Sequence, residues 1–259
     1  MINNPYYIID FSATNCFIDL RVNDIAVFCL NIEGQLATIV PINNAILETG
    51  AQRITYNILP ITGEINLQDT MDFRASVCLY DASSDTISYV EEIIQYKVPE
   101  EKQGIIPFYK HETVFTANVP YRIEAWKNSM NLKDMDTKEL RELVNKEFKK
   151  IENYFETFQY RRFIDMIILK ESNIATSMYL SQKEQQERIN DLLNLLQTGF
   201  TVIPTSPLDI MMIYGYGKLV TLIKKNGMSA FLLKNTKGEE ITLDLKFHLP
   251  QGSNELMII

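Results

Sequence analysis

From residue 1 to about residue 127 the chain alternates hydrophobic and polar positions with a period of two, the signature of half-buried strands. In Cys16-Phe-Ile-Asp-Leu-Arg-Val-Asn23, Ile18, Leu20 and Val22 share one face, while Phe17, Asp19, Arg21 and Asn23 share the other. Asn23-Asp24 breaks the run and Ile25 to Leu30 resumes it, which predicts a hairpin. Glu33-Gly34 predicts a further turn before Ala37 to Val40. More strands are expected over Arg53–Leu59, Phe73–Tyr80, Ile87–Val98 and Thr113–Trp126, punctuated by Pro41, Gly50, Pro60, Gly63 and Asp81. Strands of this length and spacing predict an antiparallel β-sandwich over residues 1–127.

The pattern then changes. Residues 128–136 are polar and without strand character, and read as a linker. Asp136-Thr-Lys-Glu139 has the form of a capping box. After it Leu140, Leu143, Val144, Phe148, Ile151, Tyr154, Phe155 and Phe158 recur at threes and fours, the stripe of one long helix. A second helix is expected from Tyr160 to Ile168. A third begins at a capping box, Ser181-Gln-Lys-Glu184, and stops near Gly199.

Period two returns after Pro204 and Pro207. Asp209–Tyr216, Leu219–Lys225, Met228–Lys234 and Ile241–Leu249 predict a four-strand meander, with Asn226-Gly227 as its clearest hairpin turn. Helices followed by a meander give an α+β domain over residues 137–259. The terminal Leu256-Met-Ile-Ile259 predicts a short last strand or a latch over the sandwich, or else an exposed patch awaiting a partner.

Of the 259 residues, 46% are hydrophobic and 22% charged, which is globular composition. The net charge of −8 disfavours a nucleic-acid partner, because neutralising phosphates takes clustered Lys and Arg. Cys16, Cys29 and Cys78 are an odd number without zinc spacing and read as buried thiols. Two histidines, His111 and His248, are too few for a histidine-rich metal site. The opening MINNPYYIIDFSATNC lacks a basic leader segment, and no run approaches the ~18 apolar residues of a membrane span. A cytoplasmic location, no membrane, no metal and no cofactor are the expectations.

The order of three helices and a curved meander resembles the NTF2-like (cystatin-like) cone, over about residues 137–259. The whole layout is similar to two-part proteins of Bacteroidetes-type bacteria, some of which serve as immunity proteins against secreted toxins. The stretches carrying that likeness are Arg21-Val-Asn-Asp24, Val40-Pro-Ile-Asn43, Phe115 to Tyr121 with Trp126, and Phe247-His-Leu-Pro-Gln-Gly252. The resemblance implies a pocket between the long helix and the sheet, in a fold that hosts enzymes, ligand binders and interaction modules alike.

An enzyme of this shape needs an acid or base in the cone, and Tyr154, Tyr160, Asp165, Tyr214, Tyr216 and His248 are the candidates, although His248 alternates with Phe247 and Leu249 and is expected to point away from the pocket. Asp165 lies among Phe163, Ile164 and Met166, an apolar setting suited to such a role or, equally, an outward place on an amphipathic helix. Tyr154, Asp165 and Tyr214 are the expected pocket. No dinucleotide loop, phosphate loop or nucleophile elbow is present: Gly215-Tyr-Gly217 lacks the third glycine and the helix. Arg161-Arg162 is an anion site or plain surface. The residues therefore favour a non-enzymatic binding protein, and the resemblance implies one of the immunity type, which blocks a basic toxin by direct contact. Tyr121, Trp126, Glu100, Glu101, Glu239 and Glu240 are its expected contacts. A small-molecule binder or enzyme using the cone and a scaffolding subunit are the alternatives.

Overall fold

The computed structural model describes residues 2–84, 86–99 and 107–259. The fold is mixed α+β, with three helices and curled antiparallel sheet. Two compact units divide the chain. The first holds Met1–Ile123 with Ser177–Tyr179, the second Glu124–Thr176 with Leu180–Ile259.

The first unit is built on one long strand, β1 (Pro5–Val22), and its hairpin partner β2 (Ile25–Pro41). Asn23 and Asp24, both at positive φ (50° and 60°), form the two-residue turn between them, as the sequence predicts. Asn23 fixes this turn by donating to Ala45 O and Gln52 Oε1. β2 follows one edge of β1 throughout. The other edge changes partner: β4 (Asp72–Asp81) pairs with Pro5–Thr14, and β3 (Gly50–Leu59) pairs with Phe17–Val22. Outer strands β5 (Ser88–Lys97) and β6 (Tyr109–Ala117) extend the β4 and β3 arms.

The change of partner falls at a bend. Asn15 (φ 47°) interrupts β1, and Glu33-Gly34 (Gly34 φ 91°) bulges from β2 opposite it. The Gly34 N–H donates to Asn15 Oδ1 at 2.8 Å, locking both strands into the same turn. The arms then face one another. Tyr56 of β3 lies 5.4 Å from Phe73 of β4 and stacks on Tyr96 of β5 at 5.1 Å, and Tyr96 stacks on His111 of β6 at 4.0 Å. Fully buried Asn43 closes one end. It accepts from the Tyr7 N–H and donates to Pro5 O and Ser177 O.

In the second unit α1 (Thr137–Glu156) is capped by Asp136, which accepts from the Lys138 and Glu139 N–H groups. Its buried stripe, Leu140, Val144, Phe148, Ile151 and Phe155, forms a common core with α2 (Tyr160–Ser177) and α3 (Gln182–Leu196). Both bonds of the Ser181–Glu184 capping box are present. Two small antiparallel sheets complete the unit. One runs β11 (Glu240–Thr242), β10 (Leu232–Lys234), β7 (Thr201–Ile203), and the other β13 (Met257–Ile258), β12 (Phe247–His248), β9 (Leu219–Ile223), β8 (Ile210–Tyr214).

Several expectations are corrected. Glu33-Gly34 is a bulge within continuous β2, not a turn between strands, because Asn15 bends β1 in step with it. β1 begins at Pro5 rather than Cys16, and the β6 strand ends at Ala117 instead of reaching Trp126. α1 stops at Glu156, so Phe158 leaves the stripe; it sits at φ 58° and is 78% exposed. α2 runs past Ile168 to Ser177, because buried Glu171 continues its inner face and is neutralised by Arg188 of α3 at 3.1 Å. The single meander is two sheets, although the Asn226-Gly227 turn forms, with the Lys224 N–H donating to Met228 O. Of the expected alternatives, the C-terminal residues take the short last strand, paired with β12 within the second unit. Leu256 and Ile258 are buried in that unit's core, which stabilises it by roughly 1.5–3 kcal/mol per side chain.

Gly34→Val should destabilise the first unit by about 1–3 kcal/mol, since a β-branched residue is strained at that φ. Asn15→Gly, which keeps the backbone but loses the bond to Gly34, should cost less. Urea unfolding midpoints of the two variants test the order.

Candidate functional site

Charge separates the two units. The first carries 15 Asp and Glu against 7 Lys and Arg, a balance of −8, and the second carries 18 against 18, a balance of zero. The whole formal net charge of the protein therefore resides on the β unit.

Within that unit the four strands β2, β1, β4 and β5 present an outer face. Asp10 is paired in register with Ile39 and Ser76, and Ser76 with Gln95, so all four side chains point the same way. A shallow groove of about 190 Å³ lies here, lined by Asp10, Ser12, Ala37, Arg74, Ser76 and Gln95. That volume is below the roughly 300–1,000 Å³ of a drug-sized ligand site, and suits one side chain of a partner. Asp10 and Arg74 are not paired with each other. At the margin of this face β5 carries Glu91 and Glu92, both exposed, on strand neighbours that point to opposite sides. Among the described residues no ion pair or side-chain hydrogen bond engages either carboxylate.

The inner face is aromatic and chemically quiet. Burial lowers the pKa of His111, stacked on Tyr96, and raises that of Tyr56, whose hydroxyl is buried without a hydrogen-bond partner. Desolvation pushes the buried Cys16 thiol up to about 12 and also raises Cys78, so neither is a ready nucleophile.

The residues expected from sequence fall in different places. Tyr121 is half-buried and donates its hydroxyl to Asn43 O at 3.2 Å, and desolvation raises its pKa. Trp126 is half-buried in the second unit, where a Cβ on Gly215 would meet its indole Nε1 at 3.2 Å. Glu240 is exposed and paired with Lys234 at 2.9 Å, and Glu239 accepts from the Asn235 side chain. Glu100 and Glu101 lie outside the described residues. Of the expected pocket, Tyr214 is almost fully buried, Tyr154 partly so, and Asp165 is exposed on α2 while Phe163, Ile164 and Ile167 turn to the core. Tyr214 and Asp165 thus do not share one environment. Arg161 and Arg162 are both exposed.

His248, expected to point away from the apolar face, is in fact buried. Its Nδ1 shares a 2.7 Å hydrogen bond with Ser129 Oγ, and its Nε2 is buried without a partner. The Ser–His contact ties the Lys127–Met135 segment to β12, alongside the Met130 N–H donating to Leu249 O. Asn131 packs so closely on Gly217 that a Cβ there would lie 2.2 Å from its Oδ1, which explains the glycine of Gly215-Tyr-Gly217. Among the described residues no cluster of three or more His, Cys, Asp and Glu is placed to hold a metal. No helix among them is long and apolar enough to cross a membrane.

Sequence reasoning passed over Asp10, Arg74, Glu91 and Glu92. The signal was Glu91-Glu92 set inside the otherwise apolar Tyr89-Val-Glu-Glu-Ile-Ile94, a charge placement typical of edge strands. Comparison of the chain with protein-family models, curated proteins and solved structures finds no match.

Burial lowers the pKa of His248 as well as that of His111. Each imidazole is therefore protonated in the unfolded chain before the folded one. Stability should be intact above the unfolded value of about 6.5 and should fall as pH drops below it. Each histidine contributes a slope of at most about 1.4 kcal/mol per pH unit. His248→Asn, which keeps a partner for Ser129, should remove one of the two contributions; urea titrations between pH 7 and pH 5 measure it.

Proposed function

We propose that this protein is a non-enzymatic binding protein of the immunity type, acting in the cytoplasm, which neutralises a basic protein toxin by direct contact through its first unit. The observation that carries this reading is the charge partition: −8 on the β unit and zero on the helical unit. One-sided charge steers a complementary partner to one face and speeds association. The unpaired Glu91 and Glu92, beside the side-chain-sized groove over Asp10 and Arg74, support a protein partner.

In this reading the first unit is an antiparallel β-sandwich made by the two facing arms. The second is an NTF2-like arrangement of helices on a curved sheet, and serves as a neutral support. Its Ser129–His248 contact is structural: both groups are buried, and the hydroxyl is bonded away from solvent.

Affinity capture with the tagged full-length protein at low salt, followed by mass spectrometry, tests the proposal. The expected result is one stoichiometric partner of high pI that dissociates at high salt, is toxic when expressed alone, and is tolerated when co-expressed with this protein. A partner held equally well in high salt, or one without toxicity, would overturn the reading.

A further inference from the structure

Resting on that reading, we propose that the partner docks by adding an extended, lysine- or arginine-bearing segment to the free edge of β5. The sheet has three outer strands, and their chemistry differs. β5 ends the order β5-β4-β1-β3-β6, so among the described residues its outer edge has no strand beside it. The same holds for β6 and for β2, which pairs with β1 alone.

Charge chooses between these edges. β2 carries one charged residue in its whole length, Glu33. On β6 the one carboxylate, Glu112, is already held by Arg53 and Lys110 at 2.9 and 2.7 Å. On β5, Glu91 and Glu92 are exposed and unpaired among the described residues, and because they are strand neighbours each face of the edge displays one carboxylate. A cation on either face of an incoming strand therefore meets an acid across the pair.

The edge is also sticky. Ile87, Tyr89 and Val90 are 54%, 59% and 41% exposed, three large apolar side chains within four positions. All of Ser88–Glu92 is exposed on both faces, and no proline between 88 and 97 removes a backbone donor. Natural edges are blunted by charges, proline or bulges; β5 carries no proline, but its register with β4 slips at Val90 and Ile93, so Glu91 and Glu92 form the regular stretch between two bulges. In the register centred on Glu91-Glu92, antiparallel β5–β5 pairing brings the acids of both copies together, which makes a second copy a poor occupant of that stretch. A basic segment gains contact where a self-copy meets repulsion.

The test uses the full-length protein and a capped octapeptide of alternating Lys and Val, with an alternating Glu and Val octapeptide as control. Binding is measured by fluorescence anisotropy at low salt, and amide hydrogen exchange is followed residue by residue. The expected result is binding of the Lys peptide alone, slowed exchange in residues 88–97, and affinity lowered about tenfold in the Glu91→Lys, Glu92→Lys double variant. Glu91→Gln with Glu92→Gln, which preserves shape, should give a smaller loss, and unchanged thermal midpoints show that both variants fold. Lys-peptide binding that leaves exchange in β5 unchanged would overturn the edge proposal while leaving an acidic interaction unit intact. No binding, or equal binding of the Glu peptide, would also overturn it; salt-sensitive capture of a basic toxin then decides the broader reading independently.

Discussion

The hydrogen bond from the Gly34 N–H to Asn15 Oδ1 sets the form of the first unit. A straight β1 of this length would make one flat, wide sheet with both faces open. Bending β1 and β2 together lets the same edge of β1 serve β4 before the bend and β3 after it. Two arms then fold toward one another over Tyr56, Phe73 and Tyr96, and the hydrophobic face finds its partner within the unit. The consequence, among the described residues, is three outer strands rather than a closed barrel, and an outer strand is where a chain can be met by another chain.

Electrostatics differentiates those edges and the two units. Carboxylates on β6 and β11 are spent on neighbouring cations, and Glu171 is spent on Arg188 inside the helical unit. Glu91 and Glu92 are not. In the helical unit acids and bases balance, so long-range attraction acts through the β unit. An exposed surface pair is worth little to stability, which leaves unpaired acids free of a folding role.

How much of this was legible depended on whether the signal was local. The Asn23-Asp24 turn, the Ser181 capping box, the α1 stripe and the Asn226-Gly227 turn depend on residues within a few positions, and each forms. The Glu33-Gly34 bulge looked like a turn because its meaning comes from Asn15, on a different strand. The second half of α2 was hidden because Glu171 reads as polar, and only Arg188 of α3 makes it an inner residue. His248 was placed outward by strict alternation, yet Ser129 and the segment around it cover that side of the strand. The candidate site follows the same rule: Tyr121 and Asp165 stood out by residue type, whereas Glu91 and Glu92 matter because β5 lies at the end of the sheet order, which one strand's sequence cannot show.

The most direct measurement of the central claim is carbodiimide labelling of carboxylates, read by peptide mass spectrometry, on the protein alone and with a saturating lysine-rich peptide. The first unit holds 15 acidic side chains and the second 18, so each unit is a control for the other. The account predicts protection concentrated on the first unit and strongest at Glu91 and Glu92, with Glu239 and other acids of the second unit labelled as before. Protection spread evenly over both units, or centred on the second, would contradict it.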